Sequence, residues 1–316
     1  MADMNIRYED LLAHRKGQPP LPTAVVHPCS EDALIGAVEA AKAGLIAPLL
    51  VGPKEQIGKI AAKSKIDLSP YEIVPTADAE ESASVAANLA GSGKAGALMK
   101  GSLHTDQYMH AVLQRENGLR TSRLLSHCML IAAPAYSRTI VVSDAAVNIA
   151  DLDQKRDIVQ NAIILARAVG ISQPKVAVLA AIETVNSKMQ ATLDAAALAK
   201  MADRRQIVGG IVDGPLDLDI AVDKEAARIK GVETPVAGQA DILIAPNIEA
   251  GNMMYKELTF MAGAQAAGLV MGARVPVILT SRADTPQSRL FSCALAVLLA
   301  TATAKDPSLL HPILGE

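Results

Sequence analysis

Aromatic side chains are almost missing from this chain, whose 316 residues include five Tyr, two Phe and no Trp. Proteins that bind single-stranded nucleic acid stack bases on aromatic platforms, so this composition argues against that role. Basic runs are missing too: 30 basic and 33 acidic residues are mixed along the chain and leave a net charge of −3. Neither DNA, RNA nor an anionic membrane is expected as a partner, and an anionic substrate has to be met by a local cluster of cations. No stretch approaches the ~18 uninterrupted apolar residues of a membrane span. The most hydrophobic segment, LFSCALAVLLATATA at 290–304, reads as too short. The N-terminal MADMNIRYEDLLAHRKGQ has no continuous apolar core and no small-residue cleavage site, so it does not read as a signal peptide.

Metal and nucleophile motifs are equally scarce. Cys29, Cys128 and Cys293 are odd in number and lack CxxC spacing, and read as small buried hydrophobes in a reducing cytoplasm. The six histidines form no HExxH or paired spacing, so no metal is expected. GSGKAG at 91–96 fails as a phosphate loop, because position 88 is Asn, residue 95 is Ala, and the segment precedes a strand. No GxSxG elbow is present. Asp217 and Asp219 read as helix-start partners sooner than as metal ligands.

What the chain does contain is Ala, Val, Ile, Leu and Met, the composition of parallel strands covered by Ala-rich helices. Short β-branched runs at 23–28, 47–52, 71–75, 95–101, 139–144, 175–183, 206–214, 241–246 and 275–281 predict strands. Helical stretches lie between most of them, such as SEDALIGAVEAAKAG, DQKRDIVQNAIILARAVG and MMYKELTFMAGAQAAG, each ending in Gly as a helix C-cap does. This alternation predicts α/β architecture with mostly parallel sheets, and at 316 residues two domains. Ligands of open parallel sheets bind beyond the carboxyl ends of strands. The loops to watch are therefore 100–104, 144–148, 183–186, 213–219, 246–252 and 281–284.

Residues 238–284, GQADILIAPNIEAGNMMYKELTFMAGAQAAGLVMGARVPVILTSRAD, carry several features in order. They are the strand and turn Ile244–Pro246, Ala250-Gly251-Asn252, Tyr255-Lys256 and Ser281-Arg282. In this arrangement the segment resembles the phosphate acetyltransferase and phosphate butyryltransferase family. SDAAVNIADLDQKRDI at 143–158 is similar to the family's segment opening a second domain. The stretches at 177–189 and 212–222 resemble the butyryltransferases and their single-domain relatives, so the likeness spans nearly the whole chain and is weakest over the first 90 or so residues.

The resemblance implies a fold like that of the isocitrate and isopropylmalate dehydrogenases, with two α/β domains flanking a cleft. Domain I would comprise 1–142 plus 277–316, and domain II 143–276, through which a homodimer would form. It implies a cytoplasmic enzyme that exchanges a short acyl group between coenzyme A and inorganic phosphate, without metal or redox cofactor. Arg282 would bind phosphate, and Ser281 would donate to phosphate or to the oxyanion. Arg123 would be a second phosphate-facing cation, with Arg120 as its competitor. Asn252, after Gly251 at an expected helix start, would grip an anion or serve as an N-cap. Where the acetyltransferase branch has an acidic residue proposed as base for the thiol, this chain has Ser288. Asp284, Asp144 and Glu183 are the remaining candidates, unless phosphate itself or the local positive field supports the thiolate. Two other readings stay open. One is a weakened protein that binds coenzyme A or acyl phosphate without turnover. The other, an oxidoreductase of the same fold, would need metal-binding carboxylates and a dinucleotide site.

Overall fold

The computed structural model describes residues 8–14, 17–280 and 285–310. Contacts divide the chain into two compact units, each interrupted in sequence. The first unit takes Asp10–Arg123 and Ala267–Thr301; the second takes Leu124–Ala266 with the described residues at the chain ends. The sequence boundary expected at 142/143 compares with one at 123/124 here. The strand before residue 143 pairs with elements on both sides of it, which groups the three together.

The first unit holds β1 (Leu21–Val26), β2 (Ile46–Gly52), β3 (Glu72–Pro75), β4 (Ala97–Lys100), β10 (Gln265–Met271) and β11 (Val277–Ile278). Its strands run in the order β3-β2-β1-β4-β11-β10, with every pairing parallel except β10–β11. Helices α2 (Glu31–Lys42), α3 (Lys54–Lys63), α4 (Ala79–Gly91) and α5 (Thr105–Leu113) connect them, and α11 (Pro286–Lys305) follows β11; α1 is Tyr8–His14. Leu34, Leu50, Leu98, Tyr108 and Phe291 are fully buried, each contributing about 1.5–3 kcal/mol by leaving water.

The second unit orders its strands β5-β6-β9-β7-β8, from β5 (Ser126–Ala132), β6 (Ile140–Ser143), β9 (Ile242–Ile244), β7 (Lys175–Leu179) and β8 (Ile211–Leu216). Only β5–β6 is antiparallel. Its helices are α6 (Leu152–Ala168), α7 (Gln190–Asp203), α8 (Leu218–Val222), α9 (Lys224–Ile229) and α10 (Ile248–Lys256). Met129, Val142, Ala177, Leu179 and Leu243 belong to its core. Both units are thus α/β with mostly parallel sheets, as the strand–helix alternation predicts.

Helix starts follow local chemistry. Ser30 Oγ accepts from Ala33 N at 3.3 Å to cap α2, Asp78 caps α4, and Asp151 with Gln154 forms a capping box on α6. The expected glycine stops hold after α2, at Gly44, and after α6, at Gly170, both with positive φ. They do not hold for MMYKELTFMAGAQAAG. There α10 ends at Lys256, a single π turn covers Glu257–Met261, and Gln265 already begins β10. The Ala-rich QAAG segment extends because β10 continues through LVM and pairs antiparallel with β11.

Candidate active site

At the carboxyl end of β6 the chain turns sharply around Asp144, which is buried. Its carboxylate accepts from the N–H groups of His127 (3.3 Å), Ala146 (2.9 Å) and Val147 (3.1 Å), and from Asn148 Nδ2 (2.6 Å). Asn148 Nδ2 also donates to the Leu125 carbonyl at 2.7 Å. Asp144 is therefore occupied in shaping its loop.

Helix α10 packs directly onto that loop. A Cβ on Gly251 would lie 2.2 Å from the Asp144 carbonyl oxygen, so only glycine allows the approach. One residue on, Asn252 Nδ2 donates to the Ala145 carbonyl at 3.0 Å. The structure thus joins the Asp144 loop and Asn252, which lie more than 100 residues apart in the sequence. Asn252 is not the helix start expected from AGN. Asn247 is the N-cap, its side chain accepting from Ala250 N at 2.9 Å, and Asn252 sits more than a turn inside α10. Asn247, followed by the helix-forming Ile-Glu-Ala, carries the N-cap signal in the sequence.

Glu183 lies half-buried on the loop after β7, and its side chain makes no hydrogen bond among the described residues. Arg123 belongs to the first unit, half-buried, with its backbone N–H donated to Thr121 Oγ1 at 3.1 Å. Its competitor Arg120 is exposed and forms an isolated bridge with Ala273. Ser281, Arg282 and Asp284 lie outside the described residues. Just beyond them Ser288, in the first turn of α11, receives its cap from Thr285, whose Oγ1 accepts from Ser288 N at 3.1 Å.

In the first unit the ends of β1 and β4 meet closely. A Cβ on Gly101 would come within 2.2 Å of the Val26 carbonyl. Ser102 Oγ donates to the His27 carbonyl at 2.9 Å and accepts from Cys29 N at 3.1 Å. The three thiols are poor nucleophiles here. Burial pushes Cys29 up to about 11, and Cys128 and Cys293 up to about 12, so each stays protonated at neutral pH.

The family model for phosphate acetyl/butaryl transferase matches residues 77–297, taking in both the β6–α10 junction and the β4 loop. The chain belongs to this family. A phosphate acetyltransferase from Rhizobium meliloti is 52% identical over 295 residues, covering 93% of each chain. A phosphate butyryltransferase from Clostridium beijerinckii is 43% identical, covering 94% of this chain and 99% of the relative. Among solved structures, a branched-chain phosphotransacylase from Enterococcus faecalis superimposes with a TM-score of 0.78 at 29% identity, over 89% of this chain and 99% of its own. As a member of this family the chain is an acyltransferase, with relatives of both names at substantial identity.

Proposed function

We propose that this protein transfers a short acyl group reversibly between coenzyme A and inorganic phosphate. What supports the reading above all is that the family match runs through the β6–α10 junction, where Gly251 and Asn252 bind the helix to the Asp144 loop. In the reaction the sulfur of coenzyme A attacks the carbonyl carbon of an acyl phosphate. The carbon–oxygen bond of the mixed anhydride breaks, phosphate leaves with the electron pair, and the thiol proton passes to a base or to the departing phosphate. Arg282 holds the phosphate through paired N–H donors, and Ser281 donates to phosphate or to the oxyanion. Arg123 and Asn252 supply further anion contacts. Because Asp144 is engaged in four hydrogen bonds, Asp284 is the better candidate for the thiol proton, with Glu183 behind it. The protein works as a cytoplasmic homodimer, its two domains flanking a cleft as in the isocitrate dehydrogenases, with no metal or redox cofactor. Ser288, where the acetyltransferase branch is acidic, favours one second reading: a protein that binds coenzyme A or acyl phosphate without turnover.

The test is the reaction run toward acyl phosphate. Acetyl-CoA or butyryl-CoA is mixed with purified protein, and free thiol is followed with and without phosphate. Thiol release that depends on phosphate is expected; release without phosphate, or none with either thioester, contradicts the proposal. Arg282→Ala should lose ~2–4 kcal/mol from kcat/KM, mostly through a higher KM for phosphate. An unchanged kcat/KM removes Arg282 from the site.

A further inference from the structure

Within the first unit, a cavity of about 310 Å³ opens where β1, β4 and β11 end. Its polar lining consists of Ser30, Asp32, Lys100, Ser102, Thr280 and Arg289. Two cations, Lys100 and Arg289, line it together with one carboxylate, Asp32. The N-terminus of α2, capped by Ser30, adds its positive dipole end to the same wall.

Arg289 is the unusual member. It projects from the first turns of α11, a helix otherwise rich in buried apolar side chains, and is itself only 9% exposed. Burying a guanidinium is costly unless it is paired. Among the described residues no carboxylate forms an ion pair with it, and its Nη1 donates to a single backbone carbonyl, that of Asp32, at 2.9 Å. One of five N–H groups is thereby used to hold the side chain in place, and the other four have no acceptor among the described residues.

The fold makes room for this arginine. Gly36 stands in the middle of α2, a place where glycine is less favourable than alanine. A Cβ there would lie 3.2 Å from Arg289 Cδ and 3.9 Å from its Nη1. The missing side chain of Gly36 is the space in which Arg289 lies against the helix. Opposite, Lys100 closes β4, and the neighbouring loop is fixed because both hydrogen-bonding sides of the Ser102 hydroxyl are occupied.

A planar guanidinium, an ammonium, two hydroxyls and a helix N-terminus around a small cavity match a tetrahedral oxyanion. We propose that this cavity is a phosphoryl-binding subsite in which Arg289 and Lys100 face the anion and Gly36 positions Arg289. The proposal deepens the acyl-transfer reading and rests on it only for the carrier of the phosphoryl group. That carrier is either inorganic or acyl phosphate, or one of the phosphates of coenzyme A.

Calorimetric titration of the full chain tests the site without turnover, using inorganic phosphate, coenzyme A and dephospho-CoA in separate arms. Arg289→Met and Lys100→Met should each weaken at least one arm tenfold or more, while Lys63→Met, on the exposed face of α3, keeps every affinity. A loss confined to phosphate assigns the subsite to the phosphate co-substrate. A loss confined to coenzyme A assigns it to the cofactor's phosphates, and to the 3′-phosphate if dephospho-CoA is unaffected. Should Arg289→Met fail to fold, judged by its circular dichroism melt, Lys100→Met and Arg289→Lys decide. Unchanged affinities in the folded variants, or a wild-type protein that binds none of the three, overturn the proposal. A wild-type protein that binds phosphate through Arg289 but never turns over acyl-CoA keeps the subsite and sinks the acyl-transfer reading instead.

Discussion

Gly251 has no side chain to contribute, yet the approach of α10 to the Asp144 loop depends on it. A methyl group placed 2.2 Å from the Asp144 carbonyl has to push backbone away, since no flexible side chain is there to yield. Gly251→Ala is therefore expected to shift Asn252 and to lower kcat/KM about 10- to 100-fold, by the sensitivity of such sites to displacements near 1 Å. Steady-state kinetics together with a thermal melt check this; full activity in the variant would show that the junction tolerates movement. The importance of Gly251-Asn252 was legible in the sequence, but its geometry was not. Asn247 and Asn252 both precede helix-forming residues, and only the tertiary contact to Ala145 decides which one caps and which one tethers. Arg289 drew no notice in the sequence because its neighbours in α11 are apolar, and a lone Arg beside them reads as a surface residue. Its partner in space, Gly36, lies some 250 residues earlier in the chain.

Among the elements, β-branched runs announced most strands. β5 and β10 were not among them; in β10 alanine favours a helix locally, and pairing with β11 overrides that preference. The amphipathic pattern of α6 was equally visible, but not the ion pair that it brings to α7. Lys155 Nζ lies 2.7 Å from Asp194 Oδ2, with side-chain exposures of 9% and 7%, and Gln190 Nε2 donates to the other oxygen at 2.7 Å. Removing the ammonium strands a carboxylate between two helices. Lys155→Met is expected to cost about 3–5 kcal/mol in urea denaturation, and adding Asp194→Leu should recover most of it. A single-variant cost below about 1 kcal/mol would mean that water reaches Asp194.

For the molecule as a whole, net charge and the shortage of aromatics argue against nucleic acid or an anionic membrane as a partner. The 20-residue helix α11 is apolar and long enough to cross a membrane, but ten of its residues, Phe291, Cys293 and Leu295 among them, are buried inside the protein. Global stability should carry one pH signature. Burial lowers the pKa of His27 below its ordinary 6.5, against the opposing charge of Asp78, and Ser82 Oγ lies 3.3 Å from its Nδ1. As pH falls through the ordinary value, the unfolded chain takes up the proton before the folded one does, so stability is lost toward acid. His27→Asn, which tolerates the φ of 52° there, should lose less stability between pH 7 and pH 5 than the wild type. Equal losses in urea midpoints would remove His27 from the acid response.

The central claim is acyl exchange between phosphate and coenzyme A, and thioester absorbance tests it most directly. Purified protein is mixed with coenzyme A and acetyl or butyryl phosphate, with no added metal or NAD. The account predicts thioester formation with at least one acyl phosphate, and graded rates from acetyl to valeryl phosphate, because one methylene is worth only ~1–3 kcal/mol of discrimination. Coenzyme A binding with no thioester from any acyl phosphate would contradict it.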